Sequence, residues 1–131
     1  LAQAAMDDAA AYASERICFG RPIVSFELIQ QKLADMEIAL QNTRNMLYRT
    51  LWKMDTGQSV RIDSALLKRY AAQQCTWVCS EALQIYGGLG FTTETRLGRL
   101  WLDCRGMQIA GGTDEIMVYI AGRQIAKEYA R

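Results

Sequence analysis

Four short stretches of the sequence combine residue types that go beyond packing. Arg16-Ile17-Cys18-Phe19-Gly20-Arg21-Pro22 sets two guanidinium groups and an aromatic ring around a tight turn. Guanidinium forks suit phosphate, and a phenyl face suits a planar ring. The same stretch also reads as an ordinary helix C-terminus, where Arg is favoured and Gly ends the helix. Gln84-Ile85-Tyr86-Gly87-Gly88-Leu89-Gly90-Phe91 leaves glycine N–H groups open to a ligand. It is not the GxGxxG fingerprint, which follows a strand, whereas this stretch follows a helical pattern. A plain glycine break is the alternative. Gly111-Gly112-Thr113-Asp114-Glu115-Ile116 places a helix start after two glycines. Such a start receives polar ligand groups, or is simply a capped helix. Asp114 and Glu115 oppose a bare phosphate there. Asp103-Cys104-Arg105 carries opposite charges two apart, which do not share a helix face and read as structural.

The composition removes several chemistries. Histidine is absent, so the commonest general base and the Ser/His and Cys/His nucleophile pairs are missing. A zinc reading of Cys75 and Cys79 lacks further ligands. Cys18, Cys75, Cys79 and Cys104 read as buried, reduced thiols, not as the disulfide framework of a small secreted domain. Fifteen basic and 14 acidic residues leave a net charge of +1, which gives no nucleic-acid surface. No apolar stretch approaches the roughly 18 residues of a membrane span. Asp7 and Asp8 interrupt the first apolar stretch, so no signal-peptide pattern opens the chain. The expectation is a cytoplasmic protein, or one of the mitochondrial matrix in a eukaryote.

These stretches need elements to hold them. One Pro in 131 residues argues for long, uninterrupted helices. Leu1 to about Ile17 is Ala-rich and reads as helix. It lacks a start signal, so the expectation is a cut helix from a longer chain. Cys18 to Ser25 reads as a turn. From Phe26 to about Asp55, Ile29, Leu33, Met36, Leu40, Thr43, Leu47, Leu51 and Met54 recur at steps of three and four, which marks one face of a long helix. Gly57 is placed to stop it. A third helix runs from about Val60 to Tyr86, with Ala65, Ala72, Cys75, Cys79, Ala82 and Tyr86 on one face. A short helix is expected from about Thr95 to Trp101. A last one starts on Thr113 as N-cap and runs to about Ala130. Asp114 and Glu115 suit the start of its dipole, and Lys127 and Arg131 its end. The sum is an all-α antiparallel four-helix bundle whose two longest helices span about 40 to 45 Å. Helices of that length have more than one face to cover, which points to a partner subunit.

In this order and at this spacing, the stretches resemble the acyl-CoA dehydrogenase family. The family's C-terminal domain carries an Arg-x-x-Phe-Gly turn, a long helix, a Gln-x-x-Gly-Gly segment and a Gly-Thr-x-Glu/Gln helix start. Here these are Arg16 to Gly20, Gln84 to Gly88, and Gly112 to Glu115. The resemblance covers nearly all of residues 1–131. It implies the C-terminal four-helix domain of a longer chain, preceded by a helical domain and a β-domain. FAD would lie between the β-domain and this one, with a neighbouring subunit supplying part of the pocket. The resemblance implies that Arg16 contacts the FAD pyrophosphate across a dimer interface and that Phe19 lies against the adenine end. Cys18 stands where the family often has Thr or Ser. Gln84, Gly87 and Gly88 would contact the adenine dinucleotide arm from the partner. Thr113 and Glu115 would face the same cofactor near their own subunit's bundle. Glu27 stands where the family usually has Gln, which puts an acid near an anionic cofactor. In the implied reaction a glutamate removes the α-proton of an acyl-CoA and the β-hydride passes to flavin N5. An electron-transferring flavoprotein would then take the electrons. The implied assembly is a homodimer or homotetramer.

Many family members place the catalytic glutamate directly before Gly-Thr, and that position here is Gly111. In the isovaleryl-CoA and long-chain branches this position is also small, and the glutamate comes from an earlier helix. By alignment it would lie upstream of Leu1. The long helix, from Leu28-Ile29-Gln30 through Asn45-Met46-Leu47-Tyr48 and Trp52-Lys53, also resembles the crotonobetainyl-CoA reductase branch. That branch has Gly-Gly at the same joint and reduces an enoyl-CoA with the same cofactor. A non-catalytic oligomerisation bundle is the remaining alternative. On each of these readings the chain alone is expected to be inactive and to self-associate.

Overall fold

In the computed structural model, which describes residues 1–130, five α-helices carry the fold. They are α1 (Ala2–Glu15), α2 (Glu27–Asp55), α3 (Arg61–Tyr86), α4 (Leu97–Gly106) and α5 (Asp114–Tyr129). α3 is the central post. α1 runs parallel to it, with Tyr12 stacked on Tyr86 at 4.1 Å between centroids. α2 runs antiparallel to α3: Lys53 pairs with Asp63 at one end, and Lys32 with Glu81 at the other. α4 and α5 also run against α3 and follow one another along it. Trp101 Nε1 of α4 donates to Ser80 Oγ at 2.8 Å, and Gln73 Nε2 donates to Asp114 Oδ2 of α5 at 3.0 Å. Together they form one interrupted fourth column. The result is the expected up-down-up-down bundle, with its last helix broken at residues 107–113.

The core explains why the helices pack this way. α1 buries Ala2, Ala5, Ala9 and Ala13, a small-residue stripe that lets α3 approach closely. On α3, Ala65, Ala72, Cys79 and Ala82 are buried, and Cys75 and Tyr86 are half-buried. Met36, Val78, Cys79 and Leu97 are the largest wholly buried side chains. Each large apolar side chain removed from water contributes about 1.5–3 kcal/mol.

Several boundaries and contacts differ from the sequence reading. α1 ends at Glu15, because Arg16 turns extended (φ −69°, ψ 117°) to enter a hairpin. The stretch Cys18 to Ser25, read as a plain turn, holds part of a small antiparallel ladder and a 3-10 turn. The ladder pairs β1 (Ile17–Cys18) with β2 (Arg21–Pro22), and the 3-10 turn spans Ile23–Ser25. α4 begins later and runs longer than the expected Thr95–Trp101, since Leu97, Leu100 and Cys104 at steps of three and four are all buried. On α2, the stripe from Ile29 to Thr43 is half or fully buried, but Leu47, Leu51 and Met54 are exposed. The Arg44 guanidinium of α2, just before those exposed residues, donates to Gln3 of α1. All four cysteines are free thiols, but only Cys79 and Cys104 are buried; Cys18 and Cys75 are half-buried.

The stop and start signals act as expected. Gly57 takes φ +74° after α2. Its N–H donates to the Met54 carbonyl, and the Gln58 N–H reaches Lys53 at 2.9 Å, which together make a Schellman end. Thr113 Oγ1 caps α5 by accepting from the Ile116 N–H at 3.3 Å. Lys127 lies in the last turn of α5. Arg131, expected beside it, lies outside the described residues. No described helix is long and apolar enough to cross a membrane.

Candidate functional site

The hairpin after α1 presents an arginine and a phenylalanine. Its two central residues, Phe19 (φ +51°) and Gly20 (φ +79°), both take left-handed backbone, as a two-residue type I′ turn requires. Glycine does this freely, but a phenylalanine there is strained. The Phe19 ring is 97% exposed and stands edge-on to Phe26 at 6.3 Å between centroids. The Arg21 guanidinium covers the Phe26 ring at 4.2 Å. Arg16 is fixed through its backbone: its N–H donates to the Tyr12 carbonyl and its own carbonyl accepts from Ile23, both at 2.8 Å. Its side chain is exposed and has no hydrogen bond or ion pair among the described residues. Cys18 is half-buried in β1, and Glu27 is exposed in the first turn of α2.

The glycine segment leaves α3 at the same end of the bundle. Gly87, at φ +62° and ψ −141°, turns the chain sharply, and its N–H donates to the Gln84 carbonyl. Residues Gly87–Phe91 then form a 3-10 turn. Gly90 is needed by packing, because a Cβ there would stand 2.8 Å from Tyr86 Cβ and 3.0 Å from the Leu83 carbonyl oxygen. Gly88 is different. It is exposed, its φ is ordinary and a Cβ would meet nothing within 4 Å. Folding places no demand for glycine there. Gln84 is exposed one turn earlier. Behind this surface the Tyr86 hydroxyl donates to the Asp8 carbonyl at 3.3 Å. Burial, then the nearby Asp8 charge, push its phenol up, so it keeps its proton.

The α4–α5 joint is held by a polar network that ties it to α3. Lys68 Nζ donates to the Gly112 carbonyl and lies 3.8 Å from the Asp114 carboxylate. Asp114 is only 8% exposed. Its other carboxylate oxygen accepts from Gln73, and its N–H donates to the Gln108 carbonyl at 3.0 Å. Gln108 Nε2 in turn donates to Thr76 Oγ1 at 3.0 Å. Gly111 (φ +64°) and Gly112 (φ +101°) are both left-handed. Glu115 is exposed. Its own backbone N–H, then the Thr113 hydroxyl, hold its carboxyl below the usual range. Gly111 has no titratable group, so the joint offers no base at this position.

The bundle sets the two groups apart. Lys68 touches Gly112, and Gln84 lies sixteen residues farther along α3, which is about 24 Å at the helical rise. Of the nine residues expected to meet a cofactor, Arg16, Cys18, Phe19, Glu27, Gln84, Gly87 and Gly88 gather at one end. Thr113 and Glu115 stand at the joint.

A family model described as "Acyl-CoA dehydrogenase, C-terminal domain" matches residues 1–126. The chain belongs to the acyl-CoA dehydrogenase family. Among curated relatives, the probable acyl-CoA dehydrogenase YdiO of Escherichia coli (strain K12) is 51% identical over 128 residues, covering 98% of this chain and 33% of the relative. The butyryl-CoA dehydrogenase of Megasphaera elsdenii has the same fold at a TM-score of 0.93 and 35% identity, over 95% of this chain and 33% of that one. A structure described as the FAD complex of PigA aligns at a TM-score of 0.91 and 29% identity, over 97% of this chain and 33% of that one. The chain therefore spans about a third of the length of these relatives.

For a C-terminal domain of acyl-CoA dehydrogenase type, several contacts had no signal in the sequence. Lys68, Gln73 and Gln108 fix the Gly111–Gly112 joint, yet Lys68 and Gln73 stand more than 40 residues from the groups they hold. Asp114, read as a dipole-compensating carboxylate, is the buried centre of that network. The packing role of Gly90 against Tyr86 was equally invisible. Only the glycine clusters marked where these contacts would fall.

Proposed function

We propose that this chain is the C-terminal third of an FAD-dependent acyl-CoA dehydrogenase and that it completes an FAD site shared between two subunits. The observation that carries the proposal is the surface at one bundle end. An unpaired Arg16, a strained and exposed Phe19, and Gly88, which packing leaves free to carry a side chain, stand together there. These fit a dinucleotide: guanidinium for pyrophosphate, an aromatic face for adenine, and bare backbone for close approach. Thr113 and Glu115, about 24 Å away along α3, suit the other subunit's share of the same cofactor. A single copy of the chain does not bring the two groups together, and a pair of copies facing each other would.

In this reading Arg16 binds and orients the pyrophosphate, and Gln84 and the Gly87–Gly88 backbone hold the adenosine arm. Phe19 covers the adenine. Cys18 stays a half-buried neighbour, and Glu27 sits near the same arm. When bound, FAD supplies the acceptor for the substrate β-hydride. The Lys68–Asp114 network keeps Gly111 and Gly112 in their left-handed conformations at the reaction-side joint. The α-proton goes to a glutamate outside residues 1–131, since Gly111 offers none. Acyl-CoA is the substrate class, and an electron-transferring flavoprotein the electron acceptor. The whole enzyme acts in fatty-acid metabolism as a homodimer or homotetramer, in the cytoplasm or the mitochondrial matrix. Exposed Leu28, Ile38, Tyr48 and Trp52 on α2 are the candidate assembly face.

The test is flavin content. Full-length enzyme carrying Arg16→Ala or Gln84→Ala should fold and assemble but retain FAD poorly, read from the flavin absorbance per subunit. Unchanged FAD retention in both variants would instead favour a bundle that serves assembly alone.

A further inference from the structure

α3 and α4 bring two thiols together outside the surfaces described above. Cys79 is wholly buried and Cys104 is 2% exposed. The Cys79 thiol donates to Cys104 Sγ at 3.6 Å. Both are free. A disulfide needs about 2.0 Å between sulfurs, so the two sulfurs must close by about 1.6 Å from their 3.6 Å separation. A cleft of about 310 Å³ beside Leu1 leads to this pair, lined also by Ala2, Lys68, Ala72, Cys75, Cys104 and Met107. Small molecules entering it meet Cys104, whereas Cys79 does not line it. Burial pushes the Cys79 thiol up, so it keeps its proton. The half-buried Cys75 lines the cleft too, but burial also pushes its thiol up.

We propose that Cys104 and Cys79 are an oxidation site at which a hydroperoxide forms a disulfide that ties α4 to α3. The Cys104 sulfur attacks the peroxide O–O bond. An S–O bond forms, the O–O bond breaks, and the alcohol or water leaves with the thiol proton. The Cys79 sulfur then attacks the Cys104 sulfur. The S–S bond forms, the S–O bond breaks, and hydroxide leaves as water with the Cys79 proton. Two thiols lose two electrons and the hydroperoxide gains them. The closed loop contains Gln84, Gly87 and Gly88, so the bond stiffens the segment assigned above to the dinucleotide arm. The bond itself does not depend on that assignment.

The experiment exposes the folded protein to hydrogen peroxide, alkylates the remaining thiols in denaturant, and maps tryptic peptides by mass spectrometry without reduction. The expected product links peptides 70–96 and 100–105, with fragment ions that place the bond at Cys79. The melting temperature should rise by about 5–10 °C and fall back with dithiothreitol. Cys75→Ala should keep the bond. Cys79→Ala, which leaves a small apolar side chain in a buried site, should keep its helical circular dichroism and carry Cys104 on to sulfinic acid. Four alkylated cysteines after peroxide, a bond at Cys75 instead, or a bond formed only in urea would each overturn the proposal. All of these readouts are independent of FAD, so they stand or fall apart from the cofactor reading.

Discussion

At the scale of single residues, the glycines separate packing from ligand approach. Gly90 has no room for a Cβ, and the atoms it would strike are backbone or the root of Tyr86. Gly90→Ala should therefore destabilise the domain by about 1–3 kcal/mol, as overpacked sites do. Gly88→Ala should change stability by no more than about 0.5 kcal/mol, as at other exposed sites. If the segment receives a dinucleotide, however, Gly88→Ala should still weaken FAD retention. Urea denaturation and flavin absorbance on the two variants check this pair of outcomes. Phe19 belongs to the same class of residue. Its left-handed backbone has no packing reason, since the ring touches little of its own chain. Its composition and position in the turn were legible in the sequence. The strain was not, because nothing in a Phe-Gly pair states that the phenylalanine takes left-handed φ as well as the glycine.

At the scale of elements, helix type and order could be read from periodicity, and contacts between helices could not. Steps of three and four marked α2 and α3, and Thr113 and Gly57 marked a start and a stop that the structure keeps. The burial of the α2 stripe depends on which helices pack over it, which no local pattern encodes. α4 shows the same limit. Its burial of Leu97, Leu100 and Cys104 against the bundle extends it past the expected end. Leu97 is wholly buried, so Leu97→Ala should cost about 2–5 kcal/mol, measured by chemical denaturation. The α2–α3 corner gives a pH-dependent case. Lys53 donates to both Asp63 oxygens, at 2.7 and 2.9 Å, and this holds the Asp63 carboxyl below the usual range. A carboxyl lowered in the folded state stabilises above its unfolded value and loses that contribution as pH falls through its folded value. Asp63→Asn should thus lower stability at neutral pH by no more than about 1 kcal/mol for a pair this close to solvent, read as a small drop in melting temperature. The difference from the parent should vanish as the pH drops below the carboxylate range.

At the scale of the whole molecule, one copy of the chain splits the candidate cofactor residues between a bundle end and a joint about 24 Å apart. The three motifs and their order were enough to point to the family. Their division between two surfaces came only from the parallel course of α1 and α3 and the break in the fourth column. The central claim is that one subunit's Arg16 end and another's Thr113 joint make one FAD site. Subunit complementation tests it most directly. Full-length Arg16→Ala enzyme and full-length enzyme carrying Thr113→Ala with Glu115→Ala would be co-expressed with different tags, and the mixed oligomers purified through both. A two-fold pair has two such sites, and mixing puts both defects in one and leaves the other intact. The account predicts poor FAD content in each parent and recovery to about half of the wild-type content in the mixed pair. Mixed oligomers with no more flavin than their parents would contradict it.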